Sequence, residues 1–99
     1  MAEEWKTINE FPNYQISNYG SIKNIRTKRF LTPYIKDEWF CYVCLSNNGK
    51  KKSVKVHVLV ATAFCDYDPK SKFDVKHIDN DPSNNYYTNL QITCLPFIH

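Results

Sequence analysis

The sequence predicts an α+β fold made of small antiparallel β-hairpins and one short buried helix. Three observations lead there. Asn48-Gly49 stands between two β-rich runs, and an Asn-Gly pair supplies the positive φ values of a tight hairpin turn. "HVLVATAFC", residues 57 to 65, shows no strand alternation and carries two alanines, which fits a short buried helix despite its valines. The chain has 99 residues, enough for one modest core, because a domain of this size buries only about 60 to 65 % of the surface its unfolded form exposes.

The elements follow in order. "NYQISNYGSIKNI" gives a strand-like stretch at Tyr14 to Ile16, a polar turn ending at Gly20, and a second stretch at Ser21 to Ile25, together a small hairpin. The basic segment "RTKRFLTPYIKDEWF" contains Pro33, which cannot donate a ladder hydrogen bond, so it is expected as edge strand and loop. "WFCYVCLSNNGKKKSVKV" is the clearest hairpin. In its second strand Ser53, Lys55 and His57 alternate with Val54 and Val56. Asp66, Asp68 and Pro69 end the helix, "FDVKHID" returns to strand, residues 79 to 89 form a polar excursion, and "NLQITC" is extended again. No linker divides the chain, so residues 1–99 are expected as a single compact unit.

The net charge of +3 hides a division. Residues 1 to 20 are net −2, residues 21 to 56 hold nine basic against two acidic side chains, and residues 57 to 99 are again net −2. A cationic block of this kind suits a phosphate backbone, and equally serves as a solubilising surface. No apolar run reaches the roughly 20 residues of a membrane helix, and the acidic opening "MAEEWK" is unlike a signal peptide. An intracellular, reducing location is expected, in the cytoplasm of a bacterial host or the cytoplasm or nucleus of a eukaryotic one. Cys41 and Cys44 have CxxC spacing, which raises zinc, but in a continuous strand residues three apart face opposite ways and no second pair completes four ligands. The four cysteines read more simply as small thiols in a reducing environment.

Three segments in order resemble the HNH homing endonucleases of the phage and group I intron type. "EWKTINEFPNYQISNYGSIKNI" resembles their nuclease-associated modular DNA-binding motif, "CLSNNGKKKSVKVHVLVATAF" their hairpin and helix, and "VKHIDNDPSNNYYTNL" their "HIDGN…NN…NL" core. The resemblance implies a modular motif at about residues 4–30 and an HNH-like region at about 39–94, built as a ββα-metal-like motif. Its final helix is expected to be truncated or absent, since after Pro96 the sequence runs only to His99. His77 would be the general base, with an imidazole suited to taking a proton near neutral pH. Asn89 would orient that imidazole through a side-chain hydrogen bond. A magnesium or manganese ion would hold the scissile phosphate if the protein is active.

The sequence departs from the family at both metal-ligand positions. Lys76, just before His77, has three donors and no acceptor, and Ile98, nine residues beyond Asn89, has no donor atom. No metal ligand is therefore assigned. Asp79, Asn80, Asn84 and Asn85 read as loop-builders, with Asn80 suited to positive φ. His57 reads as structural. Trp5, Phe11, Tyr14, Trp39, Phe40 and Phe64 read as core, while Tyr86 and Tyr87 are expected near the surface. The DNA-contact candidates are Lys23, Arg26, Lys28, Arg29, Lys50, Lys51, Lys52 and Lys55, because a two-stranded ribbon fits the major groove. The expected function is a DNA-binding protein related to HNH nicking endonucleases, with double-stranded DNA as partner, no membrane and no small-molecule substrate. An active endonuclease and a protein-interaction module are the alternatives.

Overall fold

The computed structural model describes residues 2–36 and 40–94. Trp39, Ile98, His99 and the expected final helix lie outside the described residues. Among the described residues, nine strands and one α-helix form three antiparallel sheets around the helix. In the first, β1 (Trp5–Ile8), β2 (Phe11–Ser17), β3 (Ile22–Asn24) and β4 (Phe30–Leu31) stand in sequence order. The second contains β5 (Tyr34–Lys36), β6 (Phe40–Asn47) and β7 (Lys50–Lys55), and the third pairs β8 (Phe73–His77) with β9 (Leu90–Cys94). The α+β expectation holds.

The β6–β7 turn is as the Asn-Gly pair predicts: Asn48 has φ 55° and Gly49 φ 80°, the two left-handed residues of a turn whose twist matches its strands. Pairing runs from Asn47↔Lys50 to Tyr42↔Lys55 without interruption. Cys41 is buried and Cys44 exposed, so the CxxC thiols face opposite sides of β6, as strand geometry requires. Two-residue β4 and three-residue β5 flank Pro33 and occupy the outer positions of their sheets. Strand β1, which lacks a clean apolar alternation, went unread in the sequence. It forms by pairing with β2, from Trp5↔Ser17 to Ile8↔Phe11.

Helix α1 spans Val56–Phe64, so Val56 and His57 belong to its first turn and not to the preceding strand. Local chemistry does little for it: no side chain caps its start, its first turn has no acidic residue, and valine is a mediocre helix former. Burial accounts for the helix. Val56, Leu59, Val60 and Ala61 enter a core with Ile8, Ile16, Ile22, Val43, Leu45, Val75 and Leu90, and α1 touches strands of all three sheets. Lys6 of β1 donates from Nζ to the Ala63 carbonyl at 2.9 Å, placing a cation where the helix dipole ends. Asp66 follows at φ 57° and stops the helix.

The β2–β3 turn is a buried polar junction. Ser17 is fully buried and Asn18 only 2 % exposed. Ser17 Oγ accepts from the amides of Tyr19 and Ser21, and Asn18 Oδ1 accepts from the Glu4 amide at 2.8 Å. The Asn18 carbonyl accepts from the Tyr87 amide at 2.9 Å, tying the first sheet to the loop before β9.

Candidate functional site

Strand β8 alternates as a half-buried strand should: Val75 and His77 point inward, while Asp74 and Lys76 are exposed. His77 ends the strand opposite Leu90 of β9. The chain then turns through a loop built by its own polar side chains. Asp79 accepts from the Asp81 amide at 2.9 Å, from Asn84 Nδ2 at 2.8 Å and from Asn89 Nδ2 at 2.9 Å. The hydrogen bond from Asn84, followed by those from the Asp81 amide and Asn89, holds the Asp79 carboxyl below its ordinary pKa. Asn80 has φ 61°, the backbone conformation expected of it.

One expectation for this loop needs correction. Asn89 is not the residue brought to the imidazole. Its Nδ2 donates to Asp79 and to the Asn84 carbonyl at 2.8 Å, and its Oδ1 accepts from the Asp79 amide. Asn85 takes that place instead: it is 6 % exposed, and its Oδ1 lies 2.8 Å from His77 Nε2. An amide oxygen only accepts, so in this contact His77 Nε2 is the donor. The sequence offered one signal, the adjacent pair Asn84-Asn85, whose members divide between the Asp79 loop and the imidazole. Tyr86 and Tyr87 are half-buried. Their rings meet Tyr19 and Phe64 respectively.

Above the loop, His77 lies in an aromatic cluster. Its ring centroid is 4.8 Å from that of His57 and 6.3 Å from that of Phe40, and Phe40 lies 5.0 Å from His57. His57 is 3 % exposed, and its Nδ1 is buried without a hydrogen-bond partner among the described residues. Burial, then the neighbouring His77 and Lys55, lower its pKa to about 4, so it is neutral at physiological pH and packs as an aromatic. The structural reading of His57 agrees with this. Phe40, expected in the core, is instead half-buried outside the core cluster, where its ring covers the two histidines.

A cavity of about 350 Å³ opens beside the cluster, lined by Phe40, Asp74, Val75, Lys76, His77, Asn80 and Pro82. Among the described residues no three His, Cys, Asp or Glu side chains gather to hold a metal ion. The exposed Lys76 supplies an ammonium at the position where an acceptor would be needed. Among the described residues, the position just before His77 thus supplies no ligand, while Asp74 and Asn80 bring oxygen atoms to the cavity lining.

The basic candidates form two groups. Arg26, Lys28 and Arg29 are exposed on the β3–β4 turn, where Asn24 Oδ1 accepts from the Arg26 and Thr27 amides and Lys28 takes φ 65°. Lys50, Lys51 and Lys52 are exposed on β7 at the hairpin tip. Lys23 and Lys55 are half-buried. Their Nζ atoms stand 4.5 Å from the Trp5 ring centroid and 4.8 Å from that of Phe40, so these two serve packing as well as charge.

The NUMOD4 motif matches residues 3–57. The uncharacterized HNH endonuclease L245 of Acanthamoeba polyphaga mimivirus is 40% identical over 94 residues, which are 94% of this chain and 28% of that protein. The DNA endonuclease I-HmuI of Bacillus phage SP01 is 35% identical over 89% of this chain and 51% of its own length. The H-N-H endonuclease F-TflII of Escherichia phage T5 is 31% identical over 91% and 47%. A solved structure described as DNA binding and cleavage by the HNH homing endonuclease I-HmuI superposes with a TM-score of 0.84 at 34% identity, covering 92% of this chain and 52% of that one. The chain thus spans about half or less of the length of these relatives. With the match over residues 3–57 and the β8–His77–loop–β9 geometry behind it, the chain belongs to the HNH homing endonuclease family and carries its NUMOD4 motif.

Proposed function

We propose that this chain binds double-stranded DNA through its two basic hairpins and that its HNH centre is impaired in strand cleavage. The observation that carries the reading is Lys76 standing exposed beside His77 at the rim of the cavity. A side chain there that could ligate a cation would draw one to the base. An ammonium repels one, yet still attracts a phosphate. The basic side chains of Arg26, Lys28, Arg29 and Lys50 to Lys52 supply sequence-independent affinity by releasing counterions from the duplex. In this reading His77 is the base: with Nε2 donating to Asn85, Nδ1 would take the proton of the attacking water.

A supercoiled-plasmid assay with magnesium or manganese tests the reading. The wild type is expected to retard the plasmid without nicking it, and Lys76→Asp to nick faster than the wild type. Wild-type nicking as fast as that of Lys76→Asp would overturn it. The His77–Asn85 bond favours a second reading, an active nicking endonuclease. That reading requires wild-type nicking that disappears in His77→Ala.

A further inference from the structure

The orienting hydrogen bond on His77 comes from Asn85, and Asn85 is itself set by a residue far away in sequence. A Cβ built on Gly20 would lie 3.0 Å from the Asn85 Cβ and 3.4 Å from its carbonyl oxygen, closer than side-chain carbons normally approach. Gly20 also has φ 92°, in the region where a side chain is strained. Two independent demands therefore fall on one glycine: a left-handed backbone and a flat surface for Asn85 to rest on.

The turn that presents this surface is anchored on both sides. Ser17 and Asn18 fasten it to the first sheet: the Gly20 amide donates to the Ser17 carbonyl at 3.0 Å, and the Asn18 amide donates to the Glu4 carbonyl at 3.0 Å. On the other side, the Tyr87 amide donates to the Asn18 carbonyl at 2.9 Å, and the Tyr19 and Tyr86 rings meet edge to face at 5.1 Å. The contacts at 18, 19 and 20 thus grip 87, 86 and 85 in antiparallel order.

We propose that the Asn18–Gly20 turn is a positioning element for His77, acting through Asn85. It rests on the reading of His77 as the base. The turn lies inside the NUMOD4 match, so the segment that resembles a DNA-binding module also completes the environment of the imidazole. A shift of Asn85 by a few tenths of an ångström stretches a 2.8 Å hydrogen bond toward the limit of useful geometry.

The test is the His77 Nε2 proton, read by NMR on the whole chain. The wild type should show an exchange-protected imidazole N–H. Asn85→Ala should lose it, and Asn85→Asp, which keeps an acceptor, should retain it. Gly20→Asn tolerates positive φ while adding the Cβ, and should speed exchange of that proton by about ten-fold or more while β6–β7 amide shifts stay in place. Unchanged exchange in Gly20→Asn, or an unprotected N–H in the wild type, overturns the proposal.

Should Gly20→Asn not fold, the wild type in low urea decides. The His77 N–H and the Tyr87 amide are expected to open together, and an imidazole proton that outlasts the Tyr87 amide overturns the proposal. None of these readouts involves cleavage. Absent nicking would bear on the function of His77 and leave the positioning result intact.

Discussion

His57 and His77 lie with ring centroids 4.8 Å apart, and the more deeply buried His57 has an Nδ1 without a hydrogen-bond partner among the described residues. One ring is packed as an aromatic, while the other is bound through Nε2 to Asn85 and lines a cavity. The difference comes from burial and neighbours, and it has measurable consequences.

The first concerns pH. His57 has a folded-state pKa of about 4 against an ordinary 6.5, so in that window the unfolded chain binds the proton that the folded chain refuses. Stability therefore falls as pH drops from about 6.5 to about 4 and levels out below, with an upper bound of about 3 kcal/mol from this group. Urea unfolding of the wild type and His57→Leu across that range should show a smaller pH dependence in the variant. Equal dependence would refute the buried, neutral histidine.

The second concerns Lys76. The side chain is exposed, so Lys76→Asp should leave the fold within about 0.5 kcal/mol of the wild type. Manganese should then broaden His77 resonances in Lys76→Asp at concentrations that leave the wild type unaffected. Equal broadening in both proteins would show that Lys76 is not what keeps a cation away.

A third concerns the core under the hairpin. Leu45 on β6 is fully buried and paired across from Lys52. Leu45→Ala should cost about 2 to 5 kcal/mol, a large share of the stability of a domain this small. Denaturant unfolding measures it. A cost below about 1 kcal/mol would mean that the sheet packs on the helix less tightly than described.

The fourth concerns Asn89. It fastens Asp79 and Asn84, while its carbonyl accepts from the Ile78 amide at 2.8 Å. Asn89→Ala should speed hydrogen exchange at Asp79 and Asn84 and spare the His77 Nε2 proton, whose partner is Asn85. Loss of that proton with Asn89 would restore the role first expected of it.

Sequence alone was most informative where one residue's backbone preference decides. Asn48-Gly49 and Asn80 adopt the positive φ values their types favour, and such preferences need no tertiary information. Helix α1 was legible too, since nine residues without alternation fit a buried helix better than a strand. Legibility ended where the partner lies across the fold. Spacing within the core motif pointed to Asn89, but Asn85 reaches His77 because Gly20 and Asn18 hold the loop from another sheet. Tyr86 and Tyr87 stand in a polar stretch yet are half-buried for the same reason. Strand β1 depends on β2 for its hydrogen bonds, and Lys6 is better explained by the helix end it meets.

The proposed duplex binding places much of its affinity on the hairpin lysines. Fluorescence anisotropy of labelled duplex DNA over a salt series, comparing the wild type with a variant in which Lys50, Lys51 and Lys52 are alanine, tests it most directly. Affinity should fall linearly with salt on logarithmic axes, and the variant should bind several-fold more weakly. The variant's slope should be shallower by about one for each phosphate that its lysines no longer neutralise. Binding that is indifferent to salt and to these lysines, or absent at low salt, would contradict it.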